Sequence, residues 1–199
     1  PTRRSSDLAD SDGLAATADR LRDSLAARGF DARLLAAGDG APPAVFASLR
    51  SPGATRTVVF YAHYDGQPVT PSDWSSDPFE PVLRASADPA APALDWRGGA
   101  PLDPEWRLFG RAASDDKSSI VAFLSAFDAL KAAGRTPSVN IKVLWEGEEE
   151  RGSPHLEALL RQNRDLLAAD LWLIGDAPVH QSGARMLYFG ARGTMGLEA

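Results

Sequence analysis

The sequence predicts an α/β domain with a mostly parallel central sheet and helices on both faces. Two observations lead to this fold class. Short apolar runs suited to buried strands occupy residues 57–62, 139–145 and 171–174. Segments with apolar residues at helical spacing occupy residues 14–25, 120–130 and 156–167. Strands and helices that alternate in this way form parallel sheets covered on both sides.

Composition narrows the class of protein. The chain has 199 residues, enough for one well-buried domain or for one domain and part of another. Its formal charge is -6 and its pI is about 5.1, which argues against nucleic acid or an anionic membrane as the main partner. Small molecules and divalent cations fit this charge better.

The residue types and patterns that the sequence does not contain are also informative. There is no cysteine, so disulfides and thiolate metal sites are excluded, and any metal must be held by His, Asp or Glu. No apolar run approaches the roughly 20 residues of a membrane span. The start lacks the basic-then-apolar form of a signal peptide. We therefore expect a soluble, cytoplasmic protein.

Each element of the first half has its own signal. The first helix has Ser11 or Asp12 as its cap and Gly29 just beyond its end. A Gly- and Pro-rich turn separates two β-favouring runs. A third such run ends directly at His63. The predicted elements are a helix over residues 14–25 and strands over residues 30–37, 44–49 and 57–62.

A proline-rich stretch follows, over residues 67–105. A loop of this length inside a compact domain usually has a function. We expect four aromatic residues to hold it against the body of the domain: Trp74, Phe79, Trp96 and Trp106.

The second half returns to regular alternation. Gly134 ends the second helix. Ser153 and Pro154 suit the cap and first position of the third helix. The predicted elements are strands over residues 106–109, 139–145, 171–174, 186–189 and 193–197, and helices over residues 117–133 and 153–167.

Acidic residues and one histidine stand at the ends of three predicted strands. These are His63 and Asp65, Glu149 and Glu150, and Asp176, while a turn before a helix presents Asp115 and Asp116. In α/β sheets, ligands bind outside the carboxyl ends of the strands. Carboxylates brought together there would repel one another unless a cation joined them. The pattern therefore predicts a metal site, and nitrogen and oxygen ligands without sulfur suit Zn²⁺, with Mn²⁺ or Co²⁺ as substitutes.

Each of these residues taken alone has a simpler interpretation. His63 would be a buried histidine bonded to Asp65, the aspartate pair would cap a helix, and Asp176 would be a turn residue. The acidic run would be a solvated face. We interpret His155 and His180 as surface histidines, because neither has a carboxylate two positions away.

Five motifs in order carry a resemblance to a known family. They are His63-x-Asp65, Trp74-x-x-Asp77-Pro78-Phe79, Gly110-Arg111-x-x-x-Asp115-Asp116-Lys117, Glu146-Gly147-x-Glu149-Glu150-x-Gly152-Ser153, and Asp176. This set closely resembles the di-zinc exopeptidase family of carnosine-type dipeptidases, aminoacylases, glutamate carboxypeptidases and succinyl-diaminopimelate desuccinylases. The resemblance covers residues 57–193, and the wording of the motifs is most similar to the dipeptidases.

The resemblance implies a role for each matching residue. His63 and Asp176 would bind one zinc, Glu150 would bind the second, and Asp115 would bridge both through a position with a cis bond to Asp116. Glu149 would be the general base, with Asp65 beside His63 as the other catalytic residue. The implied reaction is hydrolysis of an amide bond in a dipeptide or N-acyl amino acid by a metal-bound water. Because neighbouring extended residues point in different directions, we expect Glu150 to face the metal and Glu149 the water.

Parts of the family pattern differ or fall outside this sequence. Ala112 and Ser118 stand where the family commonly has Gly. The resemblance implies that a further histidine ligand, and a lid domain carrying the homodimer contact, lie beyond residue 199. Residues 1–190 would be the catalytic domain and residues 191–199 the start of the lid. Two alternatives are a catalytically inactive remnant that binds a metal or a partner, and an α/β domain with an acidic rim.

Overall fold

A computed structural model describes residues 6–99, 101–177, 180, 182, 184 and 186–190, with the backbone alone over residues 6–12. The helices are α1 (Ser6–Ala27), α2 (Lys117–Ala132), α3 (Leu156–Gln162) and α4 (Arg164–Leu167). The strands are β1 (Asp31–Leu35), β2 (Ala44–Leu49), β3 (Thr57–His63), β4 (Val82–Arg84), β5 (Ala93–Leu94), β6 (Arg107–Phe109), β7 (Asn140–Glu146) and β8 (Leu171–Ile174). No helix in these ranges is long and apolar enough to cross a membrane.

The central sheet has five strands in the order β1-β2-β7-β3-β8. Strand β3 lies between β7 and β8 and is parallel to both, whereas β1 and β2 pair antiparallel and β2 is antiparallel to β7. The α/β class is therefore confirmed, and the sheet is mixed. A short connection between β1 and β2 permits only the antiparallel arrangement, because a parallel pair needs a longer crossover.

Helices cover both faces of this sheet, as predicted. On one face, Leu25 of α1 and Ile120 of α2 pack in the same cluster as Trp145. On the other face, Leu159 of α3 packs in the same cluster as Leu144. Successive residues of β7 thus enter opposite cores, which explains why Val143, Leu144 and Trp145 are apolar in succession, whereas Lys142 earlier in the strand is only half-buried.

The proline-rich stretch contains regular structure that the sequence did not indicate. Strands β5, β4 and β6 form a second, antiparallel sheet. Trp74 is half-buried beneath the Arg111 guanidinium, 5.2 Å from the ring centroid. The prediction that aromatic residues hold this segment is wrong for Phe79, which is 63% exposed, and for Trp96, which is 38% exposed. Trp96 instead contacts the Arg97 guanidinium, which lies 4.5 Å from the centroid of its ring.

Two expectations for the carboxyl-terminal part also change. The third helix begins at Leu156, and its last turn separates as α4 after Asn163. The Ser153 hydroxyl does not cap this helix but donates a hydrogen bond to Glu146, 2.9 Å away. Residues 186–189 form no strand, and the strand predicted over residues 193–197 and the proposed lid segment 191–199 lie outside the described residues.

Candidate metal centre

The ends of β3 and β8 bring a histidine and an aspartate to one edge of the sheet. His63 is the last residue of β3, and Asp176 follows β8 by two positions. Asp115 reaches the same place from the turn that precedes α2. One nitrogen of His63 and one oxygen from each aspartate lie within 4.8 Å of one another. His63 is buried, whereas both aspartates are exposed.

The two nitrogens of the His63 ring face different partners. Nδ1 lies 3.1 Å from Asp65 Oδ1, while Nε2 lies 2.9 Å from Asp115 Oδ1. Asp176 Oδ2 and Glu149 Oε2 are each 3.8 Å from Nε2. In the neutral form of the ring, a hydrogen on Nδ1 donated to Asp65 would leave the lone pair of Nε2 free to bind a cation held among the other three carboxylates.

Asp65 connects the histidine to the acidic turn. Its side chain is buried, and its second oxygen accepts the Glu150 backbone N–H at 3.1 Å. A single carboxylate therefore restrains both the His63 ring and the backbone that carries Glu150.

The electrostatics of the cluster favour a positive charge at its centre. Burial works against protonation of His63, but the hydrogen bond to Asp65 and the charges of Asp65, Asp116 and Glu149 raise its pKa to about 9. Burial raises the pKa of Glu149, His63 lowers it, and Asp176 and Glu150 raise it further. An imidazole nitrogen and two aspartate oxygens are also ligands that Zn²⁺ accepts, so this donor set fits a divalent cation.

The turn before α2 has the backbone geometry that the resemblance implied. The peptide bond between Asp115 and Asp116 is cis. Asp116 is buried, and its Oδ2 accepts the His63 backbone N–H at 3.3 Å. The two aspartates therefore contact different parts of the same residue, Asp115 the ring of His63 and Asp116 its backbone N–H.

The acidic run that begins at the last residue of β7 has two buried and two half-buried carboxylates. Glu146 is 3% exposed and Glu148 is 5% exposed, whereas Glu149 and Glu150 are half-buried. Glu146 accepts hydrogen bonds from the hydroxyls of Tyr61 and Ser153, and burial raises its pKa. Only two of the four acids are therefore available to the metal centre.

The expectation that Glu149 and Glu150 are extended is wrong. Residues Glu149–Arg151 form one turn of 3₁₀ helix. The Arg151 and Ser153 N–H groups donate to the Glu148 carbonyl at 3.1 and 3.0 Å, and Gly152 ends the turn at φ 81°. A left-handed residue at this position suits Gly, which has no Cβ to clash.

The structure places Glu150 beside the centre but outside the group of His63, Asp115 and Asp176. The Glu150 carboxylate accepts a hydrogen bond from the Gln67 amide. Sequence reasoning missed Gln67, which has no motif of its own. The side chain of His155, predicted to be a surface histidine, is 40% exposed, but its contact with the Glu148 carboxylate through Nδ1 at 3.0 Å was also missed. Of the two residues in this contact, only Glu148 had a signal in the sequence, because it belongs to the acidic run at a strand end.

Comparison with models of protein families matches residues 59–187 to the model described as peptidase family M20/M25/M40. The chain is 32% identical to the Cys-Gly metallodipeptidase dug1 of Schizosaccharomyces pombe, over 76% of this chain and 29% of that protein. It is 31% identical to the Beta-Ala-His dipeptidase of Homo sapiens, over 72% of this chain and 26% of that protein. The chain thus spans less than a third of the length of these two curated relatives.

A solved structure agrees with this comparison. The M20 family metallo-carboxypeptidase Sso-CP2 from Sulfolobus solfataricus superposes with a TM-score of 0.66 and 31% sequence identity. The match covers 86% of this chain and 34% of that one.

Proposed function

This chain belongs to peptidase family M20/M25/M40, and from that premise we propose that it carries the metal centre of a hydrolase that cleaves an amide bond in a dipeptide or N-acyl amino acid. The observation that carries the proposal is the group of His63, Asp115 and Asp176, whose ligand atoms lie within 4.8 Å of one another. These residues come from β3, from the turn before α2 and from the residues after β8, so the group depends on the complete fold.

Zinc is the ion that these donors suit best. His63 and Asp176 would hold one ion, Asp115 would bridge to a second, and Glu150 would bind that second ion, with Mn²⁺ or Co²⁺ as substitutes. A bound divalent ion would lower the pKa of a water molecule and polarise a carbonyl oxygen. Both effects are what hydrolysis of an unreactive amide requires.

Glu149 would carry the proton during hydrolysis. Its Oε2 is 3.8 Å from His63 Nε2, so the carboxylate faces the same space as the proposed ligands. It would accept a proton from the attacking water and return that proton to the amine nitrogen as the C–N bond breaks. The proton count then balances without any further group.

Asp65 would act through the residues that it orients. Its contact with His63 Nδ1 selects the tautomer whose Nε2 can bind a metal, and its contact with the Glu150 N–H holds the second proposed ligand. Partners of this kind typically change metal affinity 10- to 100-fold when removed, as an order of magnitude.

The substrate class follows from the relatives' names. One relative is named for Cys-Gly and another for Beta-Ala-His, so small dipeptides are the first substrates to test. We expect a homodimer in the whole protein through a lid domain.

A second candidate function is metal binding without turnover. The contact between Gln67 and the Glu150 carboxylate favours it, because Glu150 is then occupied by an amide and stays apart from the other three ligands. The two candidates differ in the number of ions bound and in hydrolysis.

The deciding experiment combines elemental analysis with an assay. The purified chain is loaded with zinc, its metal content is measured, and hydrolysis of dipeptides and N-acyl amino acids is assayed. About two ions per chain with turnover supports the hydrolase, and one ion without turnover supports the second candidate. His63→Ala should lose the metal and His180→Ala, which changes an exposed histidine bonded to Ser182, should keep it. A chain that binds no divalent ion would contradict both.

A further inference from the structure

Glu148 is the acid of the turn that does not face the metal centre. Its side chain is buried, and both of its carboxylate oxygens contact His155. Oε1 accepts the His155 backbone N–H at 2.9 Å, and the ring Nδ1 lies 3.1 Å from Oε1 and 3.0 Å from Oε2. Because a carboxylate can only accept, Nδ1 carries the hydrogen. His155 therefore supplies two hydrogen bonds to a carboxylate that would otherwise be buried without a partner.

The same residue closes the turn through its backbone. The Glu148 carbonyl accepts hydrogen bonds from the N–H group of Arg151, the last residue of the 3₁₀ turn, and from that of Ser153, which follows the turn. Glu149 and Glu150 are part of the short loop of backbone that these two hydrogen bonds close. Whatever holds Glu148 in place therefore also sets the position of the backbone beneath Glu149 and Glu150.

The His155 ring is confined on its other side by Gly38, in the connection between β1 and β2. A Cβ atom at position 38 would lie 2.7 Å from His155 Cδ2, closer than carbon atoms pack. The ring thus fits between the Gly38 backbone and the Glu148 carboxylate. This packing restricts its rotamers without any contact to the metal centre.

Glu149 has the greatest need of such support. In the part of the chain that the structure describes, its carboxylate makes no hydrogen bond, and its only ionic contact is the one of 3.8 Å to His63. Glu150, in contrast, is held by Asp65 and Gln67. The direction of the Glu149 side chain therefore depends on the backbone of the turn.

From these contacts we propose that His155 is a positioning residue, which fixes the 3₁₀ turn through Glu148 so that Glu149 and Glu150 face the metal centre. The inference rests on the proposed function only for the roles of Glu149 and Glu150. The contact pattern itself, from Gly38 through His155 and Glu148 to the turn, is independent of those roles.

The test compares three variants of the zinc-free chain by NMR. His155→Ala removes the ring, His155→Asn keeps an N–H donor near the place of Nδ1, and Arg161→Ala is the matched control. Arg161 lies on α3, which begins directly after His155, and within the described residues its guanidinium pairs with exposed Glu157 alone. Backbone amide exchange is measured at Arg151 and Ser153, with Val143 of β7 as the internal reference. The side-chain carboxyl ¹³C resonances of Glu149 and Glu150 report the positions of the two acids directly.

In His155→Ala, exchange at Arg151 and Ser153 should accelerate at least about tenfold, which is the equivalent of one hydrogen bond to a charged group. Exchange at Val143 should not change, and the carboxyl resonances of Glu149 and Glu150 should converge toward those of exposed glutamates. In His155→Asn, the exchange rates and the carboxyl resonances should return most of the way to those of the unsubstituted chain. Arg161→Ala should change neither.

Unchanged exchange at the turn in His155→Ala would overturn the proposal. So would faster exchange with unchanged carboxyl resonances, because His155 would then support the turn without positioning the acids. If His155→Ala fails to fold, Gly38→Ala replaces it, since the added methyl group displaces the ring and should give the same two effects. A zinc titration of the unsubstituted chain is run separately: absence of binding would contradict the proposed function, while the exchange comparison would still decide the role of His155.

Discussion

His63 Nε2 lies 2.9 Å from Asp115 Oδ1, although 52 positions separate the two residues in the sequence. The contact joins the end of β3 to the turn before α2, and Asp176 completes the group from beyond β8. Each of these residues is held by a different element. We therefore expect separate effects from substituting the three residues themselves and from substituting residues that orient them, such as Asp65.

Glu149→Gln should retain zinc and lose turnover. Gln has the size of Glu but cannot accept the proton, so we expect turnover to fall about 10²- to 10⁴-fold while metal content is unchanged. Metal analysis and hydrolysis of the best dipeptide are the measurements. Glu157→Gln, an exposed residue on α3, is the matched control. Full turnover in Glu149→Gln would refute its role as the base.

Asp65→Asn should weaken metal binding without removing any proposed ligand. Its carboxylate orients His63 and holds the Glu150 N–H, so we expect zinc affinity to fall about 10- to 100-fold. Competition with a chelator measures the affinity. Asp95→Asn, in the exposed proline-rich stretch, should leave it unchanged. Equal affinities in the two variants would show that Asp65 does not support the centre.

Zinc should stabilise the folded chain, because the ion relieves repulsion among the clustered carboxylates. At a free concentration about 100 times the dissociation constant, the gain is about 2.7 kcal/mol, or an increase of roughly 5–10 °C in Tm for a chain of this size. Thermal unfolding with zinc and then with excess chelator measures it. His63→Ala should show no such shift. A shift of the same size in that variant would mean that zinc binds elsewhere.

Leu144→Ala should destabilise the fold strongly. Leu144 is 0% exposed at the centre of β7, and shortening a buried leucine typically costs about 2–5 kcal/mol. Leu187→Ala makes the same change at a side chain that is 80% exposed, where we expect an effect within about 0.5 kcal/mol. Urea denaturation compares the two. Similar losses in both would contradict the described core.

Asp170 should make stability depend on pH. Its carboxylate accepts the Thr57 backbone N–H and the Arg56 guanidinium, each at 2.8 Å, and these contacts hold its pKa below the ordinary value of 3.8. The charged form is thus favoured in the folded chain, so the contribution is present above pH 3.8 and is lost as pH falls through the lower folded pKa.

Asp170→Asn should therefore be less stable than the unsubstituted chain at pH 7, and the difference should shrink as the pH falls below 3.8. Denaturation at several pH values measures this difference. A difference that stays constant from pH 7 into the acid range would show that the charge of Asp170 does not contribute.

Much of the fold was predictable because burial leaves a local pattern. Strand β3 is apolar or aromatic over residues 58–62 and β7 over residues 143–145, since both faces of these strands are covered. Helix α2 shows the helical spacing of its buried residues Ile120 and Phe127. The same patterns place His63 and Asp176 at the ends of parallel strands. Residues at those positions come together in any sheet in which the strands are neighbours.

Where sequence reasoning failed, contacts between distant residues had decided the local structure. Phe79 and Trp96 are aromatic, but they lie outside the strands of the small sheet and stay exposed, whereas Leu83 within that sheet is buried. Ser153 suits a helix cap, but its hydroxyl is used by Glu146. In both cases the local preference is weaker than the tertiary arrangement that opposes it.

The sequence by itself determined the fold class, the strand ends that carry the acids and the family to which the chain belongs. Only the tertiary structure decided which of the four neighbouring glutamates face the candidate metal centre. It also showed that Glu148, which does not face it, contacts His155, whose ring packs against Gly38. The physical reason is that periodicity records which face of a helix or strand is buried. The direction of a side chain in a turn depends instead on hydrogen bonds to partners that no local pattern identifies.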